Sequence, residues 1–203
     1  MADYRKFTPF ILRWEGGEVN DKADRGGHTN RGITRTTFNA LSRRVLGKEP
    51  TLANFKNLSR EDAMKFIHYF WNKATGNNQI KSQAVAEAMT SWFWGSGSYG
   101  IKEWQRMLRD KFGKTKIIVD GGVGMQTINY TNSIPENELM KQAIATREET
   151  FRRLVKRDPR QAKFLKGWLN RLNDFTKRHK DVLAKAGKIG GSAILIGLGT
   201  FFF

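Results

Sequence analysis

The chain has 203 residues, of which 36 are Lys or Arg and 19 are Asp or Glu, so its formal charge at pH 7 is +17. A hydrophobic fraction of 39% and six Trp are enough to bury a core, which excludes a disordered basic tail. The lack of Cys excludes a disulfide scaffold, a thiolate metal site and a cysteine nucleophile.

The N-terminal part of the chain combines a short helix with a polar segment. Apolar residues recur at helical spacing from Phe7 to Trp14, which predicts a short helix that ends at the following pair of glycines. Residues 18–32 are polar and rich in Gly, Asn and Asp, so they are predicted to form turns and a short hairpin. Helical spacing returns over residues 33–46, where Thr34 is a suitable N-cap.

A capping-box pattern marks the next helix. Ser59 and Asp62 have the spacing at which the hydroxyl accepts from a backbone N–H three residues on, and an apolar stripe follows over residues 63–71. A further helix is predicted over residues 83–94. We expect it to end at the Gly/Ser run 95–98, which is our candidate boundary between two lobes.

The C-terminal half is also predicted to be helical. Helical stripes cover residues 101–108, 136–151 and 164–175, and a short extended piece with a tight turn is expected over residues 116–124. The predicted fold class is therefore mainly α, with a short polar loop or hairpin after the first helix.

The last residues differ in composition from the rest of the chain. Residues 189–203 contain no charged side chain, but this run is shorter than the roughly 20 residues that a membrane-spanning helix needs. A lysine-rich stretch precedes it, which favours an apolar tail that associates with an anionic membrane over one that packs on the core. We therefore predict lobes at residues 1–95 and 96–186, followed by a tail at 187–203.

Two carboxyl groups in unlike surroundings are the candidate catalytic pair. Glu15 follows Trp14, whose ring would desolvate the carboxyl group and raise its pKa, as a general acid requires. Asp24 lies nine residues further on, in a polar loop that would keep it ionised, and Thr29 and Asn30 can hold a water molecule. Such a pair is typical of glycoside hydrolysis.

The segment that holds this pair resembles a known family. Residues 14–34, WEGGEVNDKADRGGHTNRGIT, are similar to the N-terminal signature of the N-acetylmuramidases of glycoside hydrolase family 108, also called secretion activator proteins. The resemblance implies a lysozyme-like fold and assigns the essential catalytic role to Glu15. A looser similarity to phage-type lysozymes implies catalytic roles for Asp24 and Thr29, although Thr29 falls one residue short of their spacing.

The resemblance extends over about residues 5–178. It includes the segments 70–71, 91–97, 119–127 and 164–172. Of these, residues 119–127 are similar to the Asp-Gly-x-x-Gly-x-x-Thr turn of a peptidoglycan-binding-like region. Glu18 stands where the family commonly has Tyr, and His28 where it often has Glu. These departures leave the identity of the second catalytic group open.

The expected function is peptidoglycan hydrolysis by an N-acetylmuramidase that cleaves the β-1,4 bond between N-acetylmuramic acid and N-acetylglucosamine. A lytic transglycosylase, which needs only the acid, and a non-catalytic wall-binding protein on the same fold are the alternatives. Five residues are predicted to bind substrate: Asn30, Thr34, Trp71, Trp92 and Trp94.

The expected partners follow from the charge. Residues 141–185 hold 14 basic residues against five acidic ones, which suits the anionic cell wall, while nucleic acid is the less favoured partner. The three His residues lack the spacing of metal ligands, so neither a metal nor a cofactor is expected. The cell envelope is the expected location, or the host cytoplasm before release if a phage encodes the chain.

Overall fold

The computed structural model describes residues 2–14, 19–20 and 27–185, and α-helices dominate it, which confirms the predicted fold class. Residues 187–203, the predicted apolar tail, lie outside the described part of the chain. In the part that is described, no helix has the length and hydrophobicity to span a bilayer.

The elements are α1 (Tyr4–Trp14), β1 (Val19–Asn20), β2 (His28–Asn30), β3 (Ile33–Thr34), α2 (Arg35–Leu46), α3 (Leu52–Lys56), α4 (Arg60–Thr75), α5 (Gln83–Phe112), α6 (Met125–Asn132), α7 (Glu136–Arg157), α8 (Ala162–Arg178) and α9 (Lys180–Ala184).

The polar segment after α1 forms a small antiparallel sheet in the order β1-β2-β3. Arg31 and Gly32 both have positive φ angles, of 48° and 75°, as a tight two-residue hairpin turn between twisted strands requires. The turn places Thr29 opposite Thr34 across the sheet. The predicted hairpin is present, and it brings these two hydroxyl groups to one place.

Local capping signals predicted two helix starts correctly. The Thr34 hydroxyl accepts from the backbone N–H of Thr37 at 3.1 Å and begins α2. Ser59 and Asp62 form a complete capping box at the start of α4. Both arrangements join residues three apart in the sequence, so they form without help from the rest of the fold.

The helical geometry breaks within the Gly/Ser run at residues 95–98, where the sequence predicts a helix end. α5 consists of two helical halves that meet at Gly97, whose φ of 56° and ψ of −143° are not helical and favour glycine. Side chains on both sides of the kink join one core, and the rings of Trp92 and Trp104 pack edge to face at 5.2 Å. The two helical halves therefore meet at a break in the helix, and both bury apolar surface in the same core.

Gly100 lies where the two halves of α5 approach each other. A Cβ atom added there would be 2.2 Å from the backbone oxygen of Trp92, which has no room to move aside. We expect Gly100→Ala to destabilise the protein by about 1–3 kcal/mol, because the backbone at the kink must shift. Thermal unfolding measures this effect.

Gly167 provides the matched control for that substitution. It lies within α8, where an added Cβ would meet nothing within 4 Å. Gly167→Ala is expected to stabilise the protein by about 0.5–1 kcal/mol, because glycine is the poorer helix former. A Gly100→Ala protein that melts at or above the wild-type temperature would contradict the close approach at the kink.

The main core joins the first helix to the last long helix. Phe7 and Phe10 of α1 pack edge to face against Phe175 of α8, with ring centroids 6.2 and 5.8 Å apart. A second cluster of buried apolar side chains lies between β3, α2, α3 and α4, and the partly buried Leu12 and Trp94 pack against both clusters. The N-terminal and C-terminal helices are thus held together by continuous apolar packing.

The glycine-rich turn at residues 119–127 is held from within by one side chain. The amide of Gln105 donates to Asp120 Oδ1 at 2.9 Å and to the Gly122 carbonyl at 2.8 Å, and its oxygen accepts from the Gly121 N–H at 2.8 Å. Because these bonds lie within the lobe itself, the turn has a structural role. It packs closely on the bend in α5, since an added Cβ at Gly121 would lie 2.8 Å from the Ser98 carbonyl oxygen.

Candidate active site

A cleft of about 520 Å³ lies between the first and second halves of the chain. The sheet and the residues around the kink in α5 line one side of this cleft, while α7 and α8 line the other. Its walls combine aromatic, hydroxyl and guanidinium groups. A cleft with these groups suits a sugar chain, because pyranose rings offer apolar faces to stack on aromatic rings and hydroxyl groups to hydrogen-bond.

Two of the predicted site residues lie at the sheet side of the cleft. Thr29 on β2 and Thr34 after β3 both line it. The Thr29 hydroxyl donates to the Gly27 carbonyl at 3.3 Å, a long hydrogen bond, whereas the Thr34 hydroxyl is engaged with Thr37 at the start of α2. Thr29 is therefore the more available of the two for a ligand.

Two of the predicted tryptophans also reach the cleft, from the residues just before the kink. Trp94 is half-buried and lines the cleft, with its ring packed edge to face on Phe70 at 5.4 Å. Trp92 lines the cleft as well but is almost fully buried, between Trp104 and the guanidinium group of Arg147. Trp94 is thus the better placed ring for stacking on a sugar.

The other two predicted substrate-binding residues lie away from the cleft. Asn30 is buried, and its amide donates to the carbonyl oxygens of Phe55 and Lys56 at 2.8 and 3.0 Å. These bonds hold β2 on α3. Trp71 lies in the main core, where its indole N–H donates to Asn78 Oδ1 at 3.1 Å. Both side chains have structural contacts here.

Glu15 and Asp24, the predicted catalytic carboxyls, lie outside the described residues. The described chain nevertheless leads to the residue before Glu15. Trp14 is the last residue of α1, and its indole N–H donates to Asp174 Oδ2 of α8 at 2.6 Å. The Arg13 guanidinium also pairs with Asp174. One carboxylate of the C-terminal half therefore anchors the end of the helix that precedes the candidate acid in the sequence.

The buried carboxyl groups that the structure describes have the wrong electrostatics for a general acid. Burial raises the pKa of Glu87, but hydrogen bonds from His179, Arg178 and Gln83 outweigh it and the net pKa is lowered. Burial also raises the pKa of Glu103, but pairing with Arg106 of α5 and Arg153 of α7 outweighs burial, and the net pKa is lowered. Both groups are ionised structural anchors. Within the described ranges, no group of three His, Asp or Glu comes together as a metal site would require.

The second wall of the cleft contains residues that were not among the predicted site residues. Side chains of α7 and α8 line it, among them Arg147 and Arg157 of α7, and Trp168 and Arg171 of α8. A signal for Arg147 was present, because it falls at a position of the α7 stripe whose other members, such as Ala143 and Thr150, are buried. A charged residue at a core position of a helix is a candidate functional residue.

Comparisons with known proteins identify the class of each half of the chain. Residues 8–97 match the glycosyl hydrolase 108 family, and residues 99–173 match a predicted peptidoglycan domain. The chain therefore has a glycosyl hydrolase 108 domain followed by a C-terminal peptidoglycan-binding domain, as the sequence motifs indicated. The first domain implies a glycoside hydrolase.

The fold agrees with a solved structure of SagA from Brucella abortus. The two chains are 23% identical, the alignment covers 90% of this chain and 97% of that one, and the TM-score is 0.70. The protein thus has the lysozyme-like fold that the resemblance implied. Among curated proteins, none matches the chain.

Proposed function

We propose that this protein is an N-acetylmuramidase that hydrolyses the β-1,4 bond between N-acetylmuramic acid and N-acetylglucosamine in peptidoglycan. The observation that carries the proposal is the cleft, because its two walls come from the glycosyl hydrolase 108 domain and the peptidoglycan-binding domain. A glycan strand that lies in this cleft would contact both domains at once. The peptidoglycan-binding domain also suggests the cell envelope as the place of action.

The proposed chemistry is general acid catalysis. Glu15 protonates the glycosidic oxygen as the bond to the leaving sugar breaks, and Asp24 orients the attacking water or stabilises the positive charge that develops on the sugar ring. Thr29 lies on the cleft wall and offers a hydroxyl group to that water. Trp94 supplies an aromatic face for a neighbouring sugar.

The net charge of +17 fits this substrate. Bacterial walls are anionic, so a basic enzyme is attracted to them over distances of about a Debye length, which is roughly 8 Å at physiological ionic strength. Wall binding should accordingly weaken as salt is added. The exposed basic side chains of α7 and α8 would provide much of this attraction.

Product analysis tests the proposed bond specificity. Purified peptidoglycan is digested with the wild-type protein, and the soluble products are reduced and identified by mass spectrometry. The expected products end in reduced N-acetylmuramic acid. Anhydromuramic ends would make the protein a lytic transglycosylase, ends of reduced N-acetylglucosamine would make it a glucosaminidase, and wall binding without release would make it a binding protein.

The anchor at Asp174 gives a further test of where catalysis occurs. Asp174→Asn weakens the hold on Arg13 and Trp14, so the end of α1 next to Glu15 is less well fixed. We expect kcat for peptidoglycan cleavage to fall by roughly 10-fold, because small misplacements of a catalytic group slow a reaction strongly. The melting temperature should change little, since Asp174 is only half-buried.

Asp181→Asn is the matched control. It makes the same change of charge as Asp174→Asn, but at an exposed residue of α9. It should leave both kcat and the melting temperature unchanged. Equal rates in the two variants would mean that the Asp174 contact does not position the catalytic group.

A further inference from the structure

Arg147 occupies an unusual place for a charged side chain. It is only 6% exposed, and its guanidinium group lies over the rings of Phe151, at 4.7 Å, and Trp92, at 5.4 Å. Its Nη2 atom donates to the hydroxyl of Ser96 at 3.2 Å. The charge is thus held between two aromatic rings at the edge of the cleft.

Among the described residues, no Asp or Glu forms an ion pair with Arg147, and its Nη1 atom has no hydrogen-bond partner there. Glu103 attracts the charge, but its carboxylate is already paired with Arg106 and Arg153. Burial, together with repulsion from Arg171, outweighs the attraction of Glu103 and lowers the pKa of the guanidinium group to about 10. Arg147 therefore stays charged at neutral pH, and its burial costs free energy that a nearby anion would recover.

Two more arginines make this side of the cleft cationic. Arg157, in the last turn of α7, is exposed, and Arg171 of α8 is half-buried. Both line the cleft together with Arg147, and the described residues that line it include neither Asp nor Glu. We call Arg147, Arg157 and Arg171 the arginine wall. It faces a space that suits an anionic part of a ligand.

The chemistry of the proposed substrate indicates which anion this is. The N-acetylated sugars of a glycan strand carry no charge, and the lactyl carboxyl of muramic acid is in amide linkage to a peptide. The negative charges are the carboxylates of that peptide. Guanidinium groups bind carboxylates well, because two parallel N–H donors match two oxygen acceptors.

We infer that the arginine wall binds a carboxylate of the peptide attached to muramic acid, so that the cleft selects peptide-bearing glycan over bare glycan. The inference rests on the proposed substrate but not on cleavage. Arg157 is exposed and can contact the carboxylate directly. Arg147 lines the same cleft as a fixed, buried positive charge, and the rings that pack on it keep water away and strengthen its field.

Binding measurements with two soluble probes test the inference. One probe is the disaccharide N-acetylglucosaminyl-N-acetylmuramic acid with a tetrapeptide attached, and the other is the same molecule with its peptide carboxyls converted to methylamides. We expect the wild-type protein to bind the acidic probe at least about 10-fold more tightly by calorimetry, since each 10-fold is only 1.4 kcal/mol. Equal affinities for the two probes would overturn the inference.

Two neighbouring residues on α7 separate a specific site from general attraction. Arg157→Gln should lower the preference for the acidic probe at least about fivefold. Lys156→Gln removes the same charge from an exposed residue that does not line the cleft, and it should keep the preference. Arg147→Gln removes the fixed positive charge, and it should also lower the preference.

Each outcome has a definite meaning. An unchanged preference in both arginine variants, or an equal loss in Lys156→Gln, would overturn the inference. Tighter binding of poly(glycerol phosphate) than of the acidic probe would assign the wall to phosphate and would also overturn it. The disaccharide probes lack the bond that a muramidase cleaves, so this result is independent of the product analysis that tests the proposed function.

Discussion

Glu15→Gln is expected to slow the cleavage of peptidoglycan by about 10²–10⁴-fold, which is the usual contribution of a general acid. Glutamine has nearly the same shape as glutamate, but its amide cannot release a proton to the glycosidic oxygen. The leaving sugar would then depart as an unprotonated alkoxide, which raises the barrier. Substrate contacts along the rest of the cleft are unaffected, so binding of the wall should persist.

The measurement compares release of soluble muropeptides by the wild-type and Glu15→Gln proteins at equal concentrations. Melting temperature and pelleting with the wall are recorded for both, and neither should change. Glu18→Gln provides a matched control, because it removes the same charge three residues further on. We expect that control to keep most of the wild-type rate.

A Glu15→Gln protein that retains more than about a tenth of the wild-type rate would exclude Glu15 as the acid. Loss of cleavage in both Glu15→Gln and Glu18→Gln would instead show that the whole segment is sensitive to its charge. Only a loss confined to Glu15 supports the assigned role.

Glu87→Gln is expected to destabilise the protein by about 3–5 kcal/mol, as when one partner of a buried ion pair is removed. Glu87 of α5 is fully buried, and it accepts from Arg178 Nε at 2.7 Å, His179 Nε2 at 3.0 Å and Gln83 Nε2 at 2.7 Å. Arg178 also donates to the Lys6 carbonyl at 2.7 Å. The carboxylate therefore ties the end of α8 to both α5 and α1.

Thermal unfolding checks this expectation, and a fall in melting temperature of roughly 10 °C corresponds to such a loss. Glu49→Gln is the control, because Glu49 makes an exposed pair with Arg43 and its replacement should leave the melting temperature unchanged. Similar small shifts of the melting temperature in the two variants would mean that the contacts of Glu87 do not hold α8 in place.

The effect of Glu87 should also depend on pH. Its folded-state pKa lies below the ordinary value, so its ionised form stabilises the folded protein at a pH above the unfolded-state pKa of about 4.3. That stabilisation is lost as the pH falls through the lower, folded-state pKa. Urea unfolding between pH 7 and pH 3 measures this effect. The difference in unfolding free energy between the wild-type and Glu87→Gln proteins should become smaller as the pH approaches 3. A difference that stays constant would contradict the stabilising role of ionised Glu87.

Some features of the fold were predictable from short stretches of sequence. Thr34 caps α2, and Ser59 and Asp62 begin α4, because each of these bonds spans only three residues. The Gly/Ser run was also predictable as a break, because glycine commonly ends a helix, and the helical geometry is interrupted at Gly97. Local rules did not predict that a second helical half starts directly after it and completes the core begun before it.

The residues of the candidate site also divide into those that the sequence predicted and those whose contacts it did not predict. The motif around Glu15 and the hydroxyl of Thr29 were found from spacing and family resemblance, whereas the structural contacts of Asn30 follow no local pattern. Trp71 belongs to the apolar stripe of α4, and its place in the core agrees with that stripe. Sequence neighbours do not indicate that the Asn30 amide donates to backbone carbonyl oxygens of α3.

By itself, the sequence determined the helical class, the capped helix starts, the family of each half and the candidate acid, since these depend on residue type and spacing along the chain. Only the tertiary structure decided that Asp174 holds Trp14, that Glu87 gathers Arg178 and His179, and that the arginine wall lines the cleft. These contacts join side chains from 51 to 161 residues apart, such as Arg147 with Ser96 and Arg13 with Asp174. Their geometry depends on how whole helices pack, and residue spacing along the chain does not contain that information.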